Sequence, residues 1–180
     1  AKLTKEFLNK PIAILLDQLL GDPRWLPHPV RLIGAACVWG ERLTRAMLPP
    51  FAAGLCAVAL VLGLTGAATW TVIAGAKLIH PWLGSLISII LLYTTIAARD
   101  LVRHSAEVYK ALREGNLPEA RKRVGLIVGR DTADLDEAGV ARAAVESVAE
   151  SMVDGVTAPL FFALLGGPMA AMLYKAVNTM

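Results

Sequence analysis

Residues 129–180 read GRDTADLDEAGVARAAVESVAESMVDGVTAPLFFALLGGPMAAMLYKAVNTM, a charged stretch that passes directly into an uncharged apolar one. Asp134 stands three residues before Glu137, a capping-box variant that predicts a helix over about 135–152. On that helix Arg142, Glu146, Glu150 and Asp154 recur every fourth position, so three carboxylates share a stripe. Like charges at this spacing repel by a few tenths of a kcal/mol per pair, on the order of the gain from an opposite pair. The stripe therefore needs a cation, a metal or open water, and the plain solvated reading has Arg142 pairing with Glu146. The next 20 residues, 155–174, contain no Asp, Glu, Lys or Arg. That is the length of one bilayer-spanning helix, expected over about 155–175. Gly166, Gly167 and Pro168 fall in its middle and predict a break, which membranes tolerate where the backbone lines a cavity.

The composition agrees with a membrane setting. Of 180 residues 56% are hydrophobic and mean hydropathy is +0.55, while the charged residues, 18% of the chain, are clustered. The expected fold class is an all-α, polytopic integral membrane bundle carrying a cytoplasmic helical segment, as one domain over 1–180. A net charge of +3 could point to nucleic acid, but the basic residues flank apolar runs without interleaved aromatics, so no nucleic-acid partner is expected and the lipid bilayer is. Cys37 and Cys56 form neither a disulfide framework nor a zinc motif. The basic start AKLTKEFLNK leads into an apolar stretch broken by Asp17, which does not read as a signal peptide. GxxxxGK[ST], GxGxxG, HExxH and GxSxG are all absent.

Residues 11–20 are too short to cross a bilayer and fit a half-inserted or protein-buried helix. Residues 19–34, LLGDPRWLPHPVRLIG, carry Pro23, Pro27 and Pro29, which forbid regular helix and hold Asp22, Arg24, His28 and Arg31 on a stiff loop. An amphipathic helix over 30–47, lying on or against the membrane, comes next. Charge-free runs of 31 residues (46–76) and 21 residues (78–98) predict spans over about 51–76 and 78–98. Arginines before the first run and many basic residues after the second make these a hairpin whose tip, near His80, points away from the cytoplasm. Residues 99–153 are then cytoplasmic helices, two of them joined at Gly115–Pro118 with Asn116 as a cap. Arg121 and Arg123 read as a solvated face that also meets anionic head groups.

Two of these stretches carry a resemblance. The run RDTADLDEAGVARAAVESVAESMVDGVTAPLFFALLGGP, followed by YKAVNT, resembles the signature of the CbiB/CobD family of cobalamin-biosynthesis membrane proteins. Asp17, Gly21, Asp22, Pro23, Pro27, His28, Pro29, Val30, Arg31 and Gly34 are similar to the family's N-terminal pattern. The resemblance implies adenosylcobinamide-phosphate synthase activity: ATP-dependent amidation of adenosylcobyric acid by aminopropanol phosphate or a related amino-alcohol phosphate. Such chemistry activates a carboxylate by phosphorylation and needs magnesium and cations against phosphate charge. On that basis Glu146, Glu150 and Asp154 are the magnesium candidates. Glu146, Glu150 and His28 are the catalytic candidates, and Asp22, Arg31, Arg130, Asp131, Arg142, Lys175 and Asn178 the substrate- and phosphate-binding ones. The implied location is the inner cell membrane, with a homo-oligomer or other cobalamin-assembly enzymes as further partners. The family pattern continues beyond position 180, so the resemblance covers its N-terminal part. The competing readings are an AmpE-like signalling membrane protein and a corrinoid-binding membrane scaffold.

Overall fold

The computed structural model describes residues 2–21 and 28–180, with backbone alone for 2–8 and 20. Among the described residues every regular element is helical: α1 (Lys2–Leu20), α2 (Pro29–Arg45), α3 (Pro50–Ile79), α4 (Pro81–Tyr93), α5 (Ala98–Arg113), α6 (Leu117–Val124), α7 (Glu137–Met152) and α8 (Ala158–Thr179), with a π turn, Val153–Thr157, joining α7 to α8. The chain is thus an all-α protein with three helical stretches long and apolar enough to cross a membrane.

α3, at 30 residues, is about 45 Å long and exceeds the bilayer core. His80 alone separates it from α4, so the two form the antiparallel pair expected from the charge-free runs. α4 ends early. Its 13 residues cover about 20 Å, less than a bilayer, and residues 94–97 are irregular where the sequence predicts continuous helix to 98. The hydroxyls of Thr94 and Thr95 donate to the carbonyls of Leu91 (2.8 Å) and Leu92 (2.7 Å), bonding the last turn locally. The next helix is then capped from elsewhere in the chain. Ala97, at the N-cap of α5, has no capping side chain, and the Asp17 carboxylate of α1 accepts the Arg99 N–H at 3.0 Å instead. Asp17 is buried for this reason.

α1 ends at Gly21, which takes a left-handed φ of 64°. A side chain there would also strike Arg99, whose guanidinium donates to the Leu19 carbonyl. The Tyr93 hydroxyl donates to the Gly21 carbonyl, so the end of α1 is tied to both ends of the α4–α5 link. Ala13 of α1 packs in one core cluster with Leu92, Tyr93, Ile96, Ala163 and Ala171. The short turn at 46–49 sends the chain back on itself, so α2 runs antiparallel along α3, Gly40 against Leu60 and Val61, with Ile33, Val61, Met172 and Ala176 buried together. A third cluster, Val108, Ala111, Ala120, Val124, Val140 and Ala143, holds α5, α6 and α7 together outside the long apolar helices.

α8 departs most from expectation. Gly166 (φ −139°, ψ 21°) and Gly167 (φ 64°, ψ −156°) are non-helical, and the chain reverses there. Phe162, before the break, stacks on Tyr174, after it, with ring centroids 4.9 Å apart. In a straight helix twelve residues apart would mean about 18 Å. The segment predicted to span at 155–175 is therefore two helical limbs joined by a reversal, and the second limb returns to the level of Asp154.

Candidate functional site

The site is built by three local decisions in the chain. The first is the start of α7. Asp136, not Asp134, is the cap: its carboxylate accepts the Gly139 N–H at 2.7 Å from an extended backbone. Asp134 is two residues too early because 131–135 already form turns, with Leu135 N–H bonded to the Thr132 carbonyl and Asp131 accepting the Ala133 N–H at 3.0 Å.

The second is the π turn. In a continued α-helix the Gly155 carbonyl would accept from residue 159, which is Pro159 and has no N–H. Ala158 N–H instead reaches back to the Val153 carbonyl, and the freed Gly155 carbonyl accepts the Ala97 N–H at 3.0 Å. One missing donor thus both widens the helix and fastens it to the α4–α5 link. The third is the Gly166–Gly167 reversal, which returns Tyr174, Lys175 and Asn178 to the π turn. The Tyr174 hydroxyl donates to the Asp154 carboxylate at 3.3 Å.

Together these frame an open cavity of about 430 Å³ whose polar lining is Asp100 and His104 of α5, Glu150 and Ser151 of α7, Asp154 of the π turn, and Lys175 and Asn178 of α8. Asp100 and His104, Glu150 and Asp154, and Lys175 and Asn178 are each three or four residues apart, the separation that puts side chains on one helical face. Asp100 also pairs with Arg103 at 3.2 Å. Glu150 and Lys175 make no ion pair among the described residues. A smaller cleft of about 250 Å³ adjoins it, sharing Glu150 and Ile127 and adding Arg130, Glu146 and Ser147. The Ser147 hydroxyl donates to the Ile127 carbonyl, which fastens the 125–130 segment to α7.

Of the residues singled out from sequence, Glu150, Asp154, Lys175 and Asn178 share the larger cavity. Glu146 stands apart in the smaller cleft, where Arg130 reaches it at 2.8 Å; the pairing of Glu146 is with Arg130 and not Arg142. Arg142 and Asp131 are exposed and line neither cavity. His28 sits at the N-cap of α2 and Arg31 in its first turn, and they too line neither. Asp22 lies outside the described residues. Arg121 and Arg123 are structural: Arg121 Nε donates to the Leu135 carbonyl at 2.7 Å, and Arg123 is gripped by Glu119 (2.6 Å) and Glu107 (2.9 Å). The hydrogen bond and charge of Glu119, then Glu107, hold the Arg123 guanidinium above its ordinary pKa. Asp100 and His104 were not singled out from sequence. Their signal was present, a carboxylate and an imidazole four apart directly after a charge-free run, but two residues on one helix name no site until α7 and α8 stand opposite them.

Among the described residues no three of His, Cys, Asp or Glu converge into a metal cage. Magnesium typically takes only one or two protein carboxylates and fills its shell with phosphate and water oxygens. The oxygen donors of Glu150 and Asp154 fit a magnesium–phosphate complex of that kind, and not a bare-ion cage.

Fold and site define a class: a helical protein with stretches long and apolar enough to cross a membrane, in which the reversal of α8 completes a charged cavity. The profile of the family described as CobD/Cbib protein matches residues 11–180. The chain is 48% identical over 169 residues to the cobalamin biosynthesis protein CobD of Geobacter metallireducens, covering 93% of this chain and 53% of that one. It is 47% identical over 177 residues to that of Leptospira interrogans serogroup Icterohaemorrhagiae serovar copenhageni (94% and 54% covered), and 46% identical over 173 residues to the cobalamin biosynthesis protein CbiB of Salmonella typhi (94% and 54%). No solved structure matches. The chain belongs to the CobD/CbiB family, and it spans about half the length of the curated relatives it matches.

Proposed function

We propose that this chain forms part of an amide-forming enzyme of cobalamin biosynthesis, adenosylcobinamide-phosphate synthase, which joins a carboxylate of adenosylcobyric acid to an amino-alcohol phosphate at the expense of ATP. The observation that carries the reading is the return of Lys175 and Asn178 to Glu150 and Asp154 in a chain of this family. Amidation needs a cation against phosphate, carboxylates to hold an ammonium group, and exclusion of water from an activated acid. The cavity supplies the first two from its own residues. Glu150 and Asp154 would hold magnesium, which when bound neutralises phosphate charge. Arg130 in the adjoining cleft is the cation placed to grip a nucleotide phosphate, on release from Glu146. The basic residues of α5 and α6 support a cytoplasmic orientation for the charged helices, the side on which ATP and magnesium are available.

The test uses the full-length protein in lipid nanodiscs, supplied with adenosylcobyric acid, aminopropanol phosphate, ATP and magnesium. Formation of adenosylcobinamide phosphate is expected, with a loss of at least 100-fold in Glu150→Gln while corrinoid binding persists, in line with the roughly 10²–10⁴-fold a positioned acid–base or charge-stabilising group contributes. Corrinoid binding without any amide formation by the wild type would instead support a corrinoid-binding scaffold.

A further inference from the structure

The proposed reaction has two substrates of very different size, and the charged cavity is not neutral between them. Its volume, about 430 Å³, lies at the small end of what holds a drug-sized ligand, whereas a corrin macrocycle with its side chains and adenosyl group is far larger. Its charges come from different elements. Lys175 and Asn178 stand on the returning limb of α8, while Asp100, Glu150 and Asp154 stand on α5, α7 and the π turn. An acidic wall facing a lysine and an amide suits a small molecule with a positive and a negative end. A dianion alone would meet three carboxylates, and a cation alone would meet Lys175. Lys175, half-buried, makes no ion pair within 4 Å among the described residues, and the lining carboxylate whose charge it feels is Asp154.

We infer that this cavity seats the phosphorylated amine. Lys175 and Asn178 bind the phosphate, Asp100, the lining carboxylate not assigned to magnesium, binds the ammonium group, and the corrinoid presents only a carboxylate arm at the mouth. His104, half-buried on the same lining, accepts the proton that the ammonium must lose: R–NH₃⁺ and neutral imidazole become R–NH₂ and imidazolium. The ligand's identity rests on the amidation proposed above; the charge pattern of the cavity does not. One consequence is that the amine phosphate binds without corrinoid.

The experiment is calorimetric titration of the full-length protein in nanodiscs with O-phosphoethanolamine, ethanolamine or inorganic phosphate, without corrinoid or ATP. O-phosphoethanolamine is expected to bind, and each of its halves at least about tenfold more weakly, since each forfeits charge-assisted hydrogen bonds. Lys175→Met is expected to weaken O-phosphoethanolamine by about tenfold or more, Asn178→Ala by a smaller factor, and Lys122→Met, on exposed α6, not at all. His104→Gln is expected to keep affinity within about twofold and to lower kcat. Should Lys175→Met misfold, Asn178→Ala and the two half-ligands still decide the matter. Unchanged affinity in both α8 variants, or binding only when corrinoid is present, overturns the assignment. If that happens while the wild type still makes the amide, the seat is wrong and the reaction stands. If binding behaves as expected and no amide forms, the reaction is wrong and the zwitterion site stands.

Discussion

Gly167 is the residue on which the site depends without touching it. Its φ of 64° with ψ of −156° lies in a region open essentially to glycine alone, and a Cβ added there meets nothing within 4 Å. The cost of Gly167→Ala is therefore confined to the backbone. It is about 1–3 kcal/mol, or a roughly 5- to 150-fold shift toward states without the reversal. For a chain of this size each kcal/mol lowers Tm by about 2–4 °C, so a drop of roughly 2–12 °C is expected. Gly63 is the internal control: it lies inside α3 and a Cβ there also meets nothing within 4 Å, but its backbone is helical. Gly63→Ala should stabilise by about 0.5–1 kcal/mol. The assay is thermal unfolding of both variants in the same detergent, followed by tryptophan fluorescence and by retention of O-phosphoethanolamine binding. Equal Tm values for the two variants would refute the reasoning, because a straight or gently kinked α8 treats the two glycines alike.

Two further outcomes follow from the geometry. With Cys37 and Cys56 replaced by serine, Phe162→Cys and Tyr174→Cys should cross-link in high yield with a short bifunctional thiol reagent, since the native rings stack at 4.9 Å; a straight helix, separating them by about 18 Å, gives none. At the start of α7, Asp136→Ala should cost about 1 kcal/mol in chemical denaturation and Asp134→Ala less than about 0.5, an order that reverses if Asp134 is the cap.

Much of the chain was legible because its signals are local. The charge-free runs predict α3 and α4 and their hairpin, and Asn116 predicts the cap of α6, where it accepts the Glu119 N–H at 3.1 Å. Asp134 misled because a capping box is a spacing rule, and Asp136 also satisfies the chemistry, accepting from a residue three further on. Arg142 misled because one turn of helix makes Glu146 its nearest sequence partner, while the turn at 125–130 delivers Arg130 from outside.

By itself the sequence determined the helical membrane class, the family signature, and a break at Gly166–Gly167, since apolar periodicity, charge-free length and glycine–proline chemistry act over a few residues. Tertiary structure alone decided that the break is a full reversal. How far a chain turns at two permissive glycines is set by what its limbs pack against, here Phe162 on Tyr174 and Ala163 with Ala171 in the core of α1 and α4. The same packing chose which carboxylates share a cavity with Lys175 and admitted Asp100 and His104, whose part depends on α7 and α8 lying across from them.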